Sequence, residues 1–398
     1  MPKKVDVVII GASASGLMCA IEAGKRGRRV LVFDHANKAG KKILMSGGGR
    51  CNFTNYDVSA DNYISHNPHF CKSALSRFTQ WDFISMVSDY QIPYHERAHG
   101  QLFCDDSAKD ILNMLLAECR KYAIEIRLMT SIQSITKVDS GDYVVVTQSG
   151  KQADKSSATS LVIATGGLSI PKMGATPFGY QIAEQFGHKI YPSYAGLVPF
   201  TLQPADKETL SPLSGIAVDA IVHCSKNSFR ENILFTHRGL SGPVILQISS
   251  YWRPGEAVSI NLLPDLNLFE YLENKQKQGS QQQVRSVLTT LLPQRLIVAL
   301  VADKLISKSF QDTSHDSFRL IEALLQNWQI KPNGTEGYRT AEVTLGGVDC
   351  DELSSKSMES KLVSGLYFVG EVMDITGWLG GYNFQWAWSS GWSAGQYV

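Results

Sequence analysis

From residue 5 to residue 10 the chain carries an apolar, β-branched run of the kind a fully buried strand needs, and the run stops at Gly11. An Ala- and Leu-containing segment, residues 17 to 25, follows a short small-residue turn and is closed by Gly27. Residues 29 to 33 make a second apolar run that ends on Asp34, so the pattern predicts strand, tight turn, helix, strand. Residues 107 to 122 set Ile111, Leu112, Leu115 and Leu116 at helical spacing, and the segments 124–128, 131–138 and 142–148 alternate as a small meander would. Buried-strand runs return at 161 to 165 and 365 to 369. Between them, 191 to 261 reads as short β segments and 266 to 329 as helix-rich, with a polar Gln-Ser break near 275 to 283.

At 398 residues, two or three domains are expected. Lys plus Arg, 38, nearly cancel Asp plus Glu, 37, leaving a formal charge of +1 with no block of one sign. That balance argues against a nucleic-acid partner and against an anionic membrane surface. Seven cysteines are scattered without a C-x-x-C pair, the pattern of reduced thiols. No apolar stretch approaches the roughly 18 residues of a membrane span, and the first residues lack a signal-peptide pattern. A cytoplasmic protein is expected.

Gly11, Ala12, Ser13, Ala14, Ser15 and Gly16 join the first strand to its helix, and Asp34 lies about 20 residues beyond that turn. In a dinucleotide-binding unit the first glycine permits the turn, the last permits close helix–strand contact, and the helix amides face a pyrophosphate. Asp34 then accepts hydrogen bonds from the adenosine ribose. Ser13 departs from the usual middle glycine; it is small, and its hydroxyl can donate to phosphate.

Three consecutive glycines, Gly47 to Gly49, are costly inside a helix or strand and mark a loop that something approaches closely. The whole string from Gly40-Lys41-Lys42 through Gly48-Gly49-Arg50-Cys51-Asn52 to Asn55 resembles the YhiN/BaiN-type flavoproteins, a family that includes aminoacetone oxidase-like members. The resemblance covers essentially the full chain. It implies a doubly wound α/β FAD-binding fold of the two-dinucleotide-binding-domain type, with an inserted β-barrel-like domain and a helical cap. The implied borders are 1–190 with 340–398 for the FAD-binding domain, 191–265 with about 331–339 for the insert, and 266–330 for the helical subdomain.

Within that family Ala164-Thr165-Gly166-Gly167 resembles the motif at which the chain re-enters the FAD sheet. Gly370-Glu371 resembles the Gly-Asp pair that holds the ribityl chain, with Glu371 a conservative departure. The candidate cofactor contacts are therefore residues 11 to 16, Asp34, Lys42, Gly48, Gly49, Arg50, Cys51, Asn52, Ile132, residues 164 to 167, Gly370, Glu371, Gly381, Tyr382 and Asn383. Gly380 and Gly381 precede a helical-looking run, whose positive end is expected at the flavin N1 edge. Cys51 is expected to be packed or cofactor-facing without redox work, and Trp386, Trp388 and Trp392 to be core.

His95-Glu96-Arg97-Ala98-His99 matches H-E-x-x-H, whose zinc chemistry needs a sustained helix. Pro93 and Gly100 deny it that helix, so no metal is expected. His237 and Arg238, in the polar turn of 235–243, are the candidate catalytic residues; for His237 a purely structural hydrogen-bonding role stays open.

These readings point to an FAD-dependent oxidoreductase that moves a hydride between flavin N5 and a small organic substrate. No second GxGxxG follows a strand, so NAD(P)H, where used at all, is a transient electron donor. The alternatives are a flavin-dependent RNA-modifying enzyme, against which the near-zero charge counts, and a non-catalytic flavin-binding redox sensor. Substrate, direction of electron flow and oligomeric state stay open.

Overall fold

The first apolar run is strand β1 (Val7–Ile10), followed by helix α1 (Ala14–Lys25) and strand β2 (Val30–Phe33); every residue of both strands is buried. Strands covered on both faces belong at the centre of a parallel sheet, and each such side chain contributes roughly 1.5–3 kcal/mol by leaving water. The sheet is completed by β3 (Glu125–Arg127), β4 (Ser160–Ile163) and β5 (Leu366–Phe368), in the order β5-β4-β1-β2-β3. All its pairings are parallel, with Ile10 beside both Phe33 and Ile163.

The computed structural model describes residues 2–398 and divides the chain into two units, one running to Tyr194 and resuming with Val343–Val398, the other Ala195–Glu342. In the first unit the C-terminal helix α2 (Tyr382–Gly395) packs on α1 through glycines: a Cβ at Gly391 would stand 2.4 Å from the Ser15 carbonyl oxygen. With α2 on one side and the parallel sheet and the helix Ala108–Lys121 on the others, α1 is buried from Ala14 to Gly24.

The segment 124–128 was expected in the meander. It instead supplies β3, whose residues 125–127 pair with Leu31, Val32 and Phe33. The meander holds Ser131–Lys137, Tyr143–Ser149 and Gln152–Ala158, and the last of these also pairs in parallel with Lys3–Lys4. Gln152–Ala158 is polar and poor in β-formers, so its strand character comes from its partners rather than its own pattern.

The second unit is built on a seven-stranded antiparallel sheet. Its hydrogen-bonded order is Trp328–Ile330, Val258–Asn261, Ala217–Cys224, Asn227–Phe235, Gly239–Ser241, Phe200–Thr201, Gly334–Thr335. The helices between residues 266 and 330, among them Leu268–Lys277 and His315–Gln326, share one hydrophobic core with these strands, where Phe318 and Leu325 join Val222 and Ile260. Among the described residues no helix is long and apolar enough to cross a membrane.

Candidate functional site

The glycine turn has the geometry that the sequence pattern requires. Gly11 has φ +116°, and a Cβ there would lie 2.2 Å from the Ala164 carbonyl oxygen; a Cβ on Gly16 would lie 2.0 Å from the Gly11 carbonyl oxygen. Residues 11 to 16 are thereby drawn onto the 164–167 segment. Ser13 precedes α1 in an extended conformation, φ −119°, which any residue adopts, so serine costs nothing there. Its side chain makes no capping bond and the first turn of α1 carries no acid, which leaves the helix amides without a side-chain acceptor. A pyrophosphate fits that end. Asp34 accepts from the Ala12 and Ala36 amides at 2.8 Å each, one on each carboxylate oxygen, and keeps a further lone pair on both. Ile132 is half-buried close to this corner, where the Thr130 amide donates to the Asp34 carbonyl at 2.9 Å.

Lys42 and Glu371, 329 residues apart, form an ion pair at 2.8 Å. Lys42 also donates to Ser169 Oγ at 2.7 Å, and Glu371 accepts from the Thr344 amide at 2.9 Å. Gly370 lies against Ser15, since a Cβ there would be 2.6 Å from Ser15 Oγ. Thus the glycine turn, 164–167, Lys42 and 370–371 are brought together in one place. Thr165 Oγ1 is buried without a hydrogen-bond partner, an orphaned polar atom inside this cluster. These features fit the diphosphate, ribose and ribityl groups of FAD. Ser169 and Thr344 were missed as candidates, although Ser169 follows directly on the 164–167 motif and Thr344 stands beside the glycines Gly346 and Gly347.

Gly47, Gly48 and Gly49 all have left-handed φ, and at Gly48 and Gly49 an added Cβ would meet nothing within 4 Å. This is a loop with open space above it. Behind it stands a hairpin, Tyr94–Arg97 and Gln101–Cys104, which pairs with Asn52–Asn55. His95 is thus on a strand and His99 in the following turn, so the H-E-x-x-H string has no helix under it. Gly380 and Gly381 close onto the same sheet. A Cβ on Gly381 would be 2.4 Å from the Thr54 carbonyl oxygen, and the Gly380 carbonyl accepts from Asn55 Nδ2 at 2.9 Å. The Asn52 carboxamide lies 2.9 Å from that of Gln101.

The remaining candidates have protein surroundings of their own. The Asn383 side-chain amide closes both ends on Gly377, accepting from its N–H and donating to its carbonyl at 2.8 Å each. Tyr382 is buried beside Tyr63. Cys51 is fully buried, and burial pushes its thiol well above the ordinary value despite the neighbouring Arg50, which is exposed. His237 and Arg238 belong to the second unit. There they line a cleft of about 340 Å³ with Phe235, Ser241 and Glu336; His237 is exposed, and Arg238 pairs with Glu336 at 3.1 Å.

Residues 5–397 match the family described as HI0933-like protein Rossmann domain. The chain is 53% identical over 396 residues to a protein of Escherichia coli named "Ribosomal RNA dihydrouridine synthase", covering 99% of this chain and 98% of the relative. It is 49% identical over 396 residues to a Haemophilus influenzae protein of the same name, covering 98% and 97%. Among solved structures, the open conformation of a flavocytochrome c3 fumarate reductase shares the fold at a TM-score of 0.50 and 14% identity, over 99% of this chain and 78% of that one.

Two expectations fall with the named relatives: hydride transfer to a small organic substrate, and the absence of a nucleic-acid partner. The physical error lay in the charge argument. A formal charge of +1 is a sum over the whole surface, whereas nucleic-acid contact depends on where a few cations and aromatic faces stand.

Proposed function

This chain belongs to the HI0933-like family, and from its FAD-binding fold and flavin-dependent oxidoreductase character we propose that it reduces uridine in ribosomal RNA to dihydrouridine. The observation that carries this reading is the full-length 53% identity to a relative of that name. The reaction saturates the C5–C6 double bond of uracil, placing a hydride on one carbon and a proton on the other. Bound flavin supplies hydride chemistry. The chain's own task is to hold and orient it. The amides of α1 take the diphosphate, and Asp34 takes the ribose. The Lys42–Glu371 pair, anchored by Ser169 and the Thr344 amide, would hold the ribityl chain. The open backbone at Gly48 and Gly49 leaves room for a flat ring.

Each turnover consumes two electrons, which we assign to NAD(P)H as a visiting donor, since no second GxGxxG follows a strand. His237 and Arg238 are assigned to substrate contact in the second unit, and work on ribosomal RNA sets the protein in the cytoplasm. The test is direct. Purified protein is incubated with unmodified ribosomal RNA transcript and NADPH, and nucleosides are analysed by mass spectrometry. Dihydrouridine is expected; its absence with flavin-loaded protein and intact RNA refutes the reading.

A further inference from the structure

The hairpin that carries the H-E-x-x-H string holds an arginine in an unusual state. Its register sets His95 opposite Phe103, and with strand alternation His95, Arg97 and Phe103 share one face, while Tyr94 and Glu96 take the other. The Arg97 guanidinium carbon lies 4.1 Å from the Phe103 ring centroid. Its Nε donates to His95 Nε2 at 3.2 Å, and His95 Nδ1 lies 2.6 Å from Asp105 Oδ1. That chain of contacts requires His95 to carry its proton on Nδ1 and to accept at Nε2. Arg97 is nonetheless solvent-exposed, and among the described residues its terminal nitrogens make no hydrogen bond or ion pair.

A surface arginine in water is ordinarily mobile, and ordering it on binding costs conformational entropy. Here Phe103 beneath, His95 at the edge and Asp105 behind have already fixed the plane. The same Phe103 ring backs the glycine loop, since its Cε1 lies 2.8 Å from where a Gly47 Cβ would stand. The hairpin is also tied to the C-terminal glycine pair, because Asn55 Nδ2 donates to both the His99 and the Gly380 carbonyl at 2.9 Å.

Resting on the RNA reading above, we propose that Arg97 is a pre-ordered stacking platform for a nucleobase of single-stranded RNA at the rim of the glycine loop. A planar, delocalised cation with one open face suits a base, which presents a π-face whatever its identity, and it attracts the phosphate backbone as well. Recognition of this kind needs no basic surface, which agrees with a formal charge of +1. Of the acids on the hairpin, Asp105 is engaged by His95, and Glu96 lies on the opposite face. Arg97 is a positioning residue for RNA and takes no part in the chemical step.

The test uses the flavin-loaded protein, a fluorescein-labelled single-stranded oligouridylate for binding, and ribosomal RNA transcript for dihydrouridine formation. Arg97→Ala should weaken oligouridylate binding roughly 5- to 100-fold, the range for loss of one stacked base. Arg97→Lys keeps the charge without the plane and should recover little of it; His95→Ala, which frees the guanidinium, should show an intermediate loss. Flavin content, read from visible absorbance, should match wild type in all three. Wild-type affinity in Arg97→Lys would reduce the residue to a point charge and overturn the platform. Wild-type affinity in Arg97→Ala, with RNA still bound and reduced, overturns the platform and leaves the RNA reading standing. Flavin loss in both Arg97 variants would make the residue a support of the cofactor loop and overturn it as well. A wild-type protein that neither binds nor reduces RNA overturns both.

Discussion

Gly381 tests whether the C-terminal glycine pair is required by packing or by the cofactor. It precedes α2 with φ 96° and ψ −11°. An alanine methyl would stand 2.4 Å from the Thr54 carbonyl oxygen and 2.5 Å from its carbon, both backbone atoms that no rotamer change can move. The left-handed conformation costs a non-glycine residue about 1–2 kcal/mol, and overpacking adds about 1–3 kcal/mol. Together these predict a destabilisation of about 2–5 kcal/mol and a drop in melting temperature of about 4–20 °C. Gly380→Ala is the control. Its methyl would meet Gln101 Cγ and Cδ at 3.2 and 3.3 Å, the movable part of a side chain, so only the conformational part of about 1–2 kcal/mol remains. Thermal melts by circular dichroism, on flavin-loaded and flavin-stripped protein, separate the two causes. If stripped Gly381→Ala melts within about 2 °C of wild type, the Thr54 approach is not what demands glycine. If it then also fails to retain flavin, the cofactor is.

Gly48→Ala should do the reverse: its methyl meets no protein atom within 4 Å, so stripped protein loses only about 1 kcal/mol from the left-handed φ, while flavin affinity falls about tenfold. Unchanged flavin affinity, by equilibrium titration, would show that the loop does not cradle the cofactor. His188 is buried between Glu352 and Ser360, and burial lowers its pKa from the ordinary 6.5. The unfolded chain therefore takes up its proton first, so stability present at neutral pH is lost as pH falls below 6.5, and melts of His188→Gln should depend less steeply on pH there. A profile equally steep in the variant would acquit His188. All seven cysteines are free and buried, with the Cys71 and Cys224 thiols pushed up to about 11. A thiol reagent at neutral pH should label none in the native protein and all seven after unfolding; rapid native labelling of one site would expose a reactive thiol.

The shape of the glycine turn was legible because most of its constraints act on neighbours in sequence. Gly16 and Asp34 answer to backbone groups within one βαβ unit and Gly11 to its own positive φ as well as to the Ala164 carbonyl, so the residue types and their spacing carry most of the turn's geometry. Lys42 and Glu371 were both named, but their pairing was not. Nothing local says that residues 329 apart meet, nor that Ser169 and Thr344 complete the network. Strand β3 was legible as a strand but assigned to the wrong sheet, because alternation reports burial of one face and is silent about the partner. Gln152–Ala158 was not legible at all: its strand is imposed by Tyr143–Ser149 on one side and Lys3–Lys4 on the other.

The substrate class was misread for a different reason. A cofactor that threads the sheet constrains dozens of residues, and their types accumulate into motifs. A partner that touches the rim of the site constrains few, and Arg97 shows how such a residue hides. In sequence it reads as the third letter of a failed zinc motif, and in the charge sum it is one cation among 38. Its distinguishing property is that Phe103, His95 and Asp105 hold it still, which exists only once the hairpin has folded. Composition averages over the surface on which recognition is local. A near-neutral total therefore says nothing of where the cations stand, and it has no bearing on a partner held by stacking on one ordered cation.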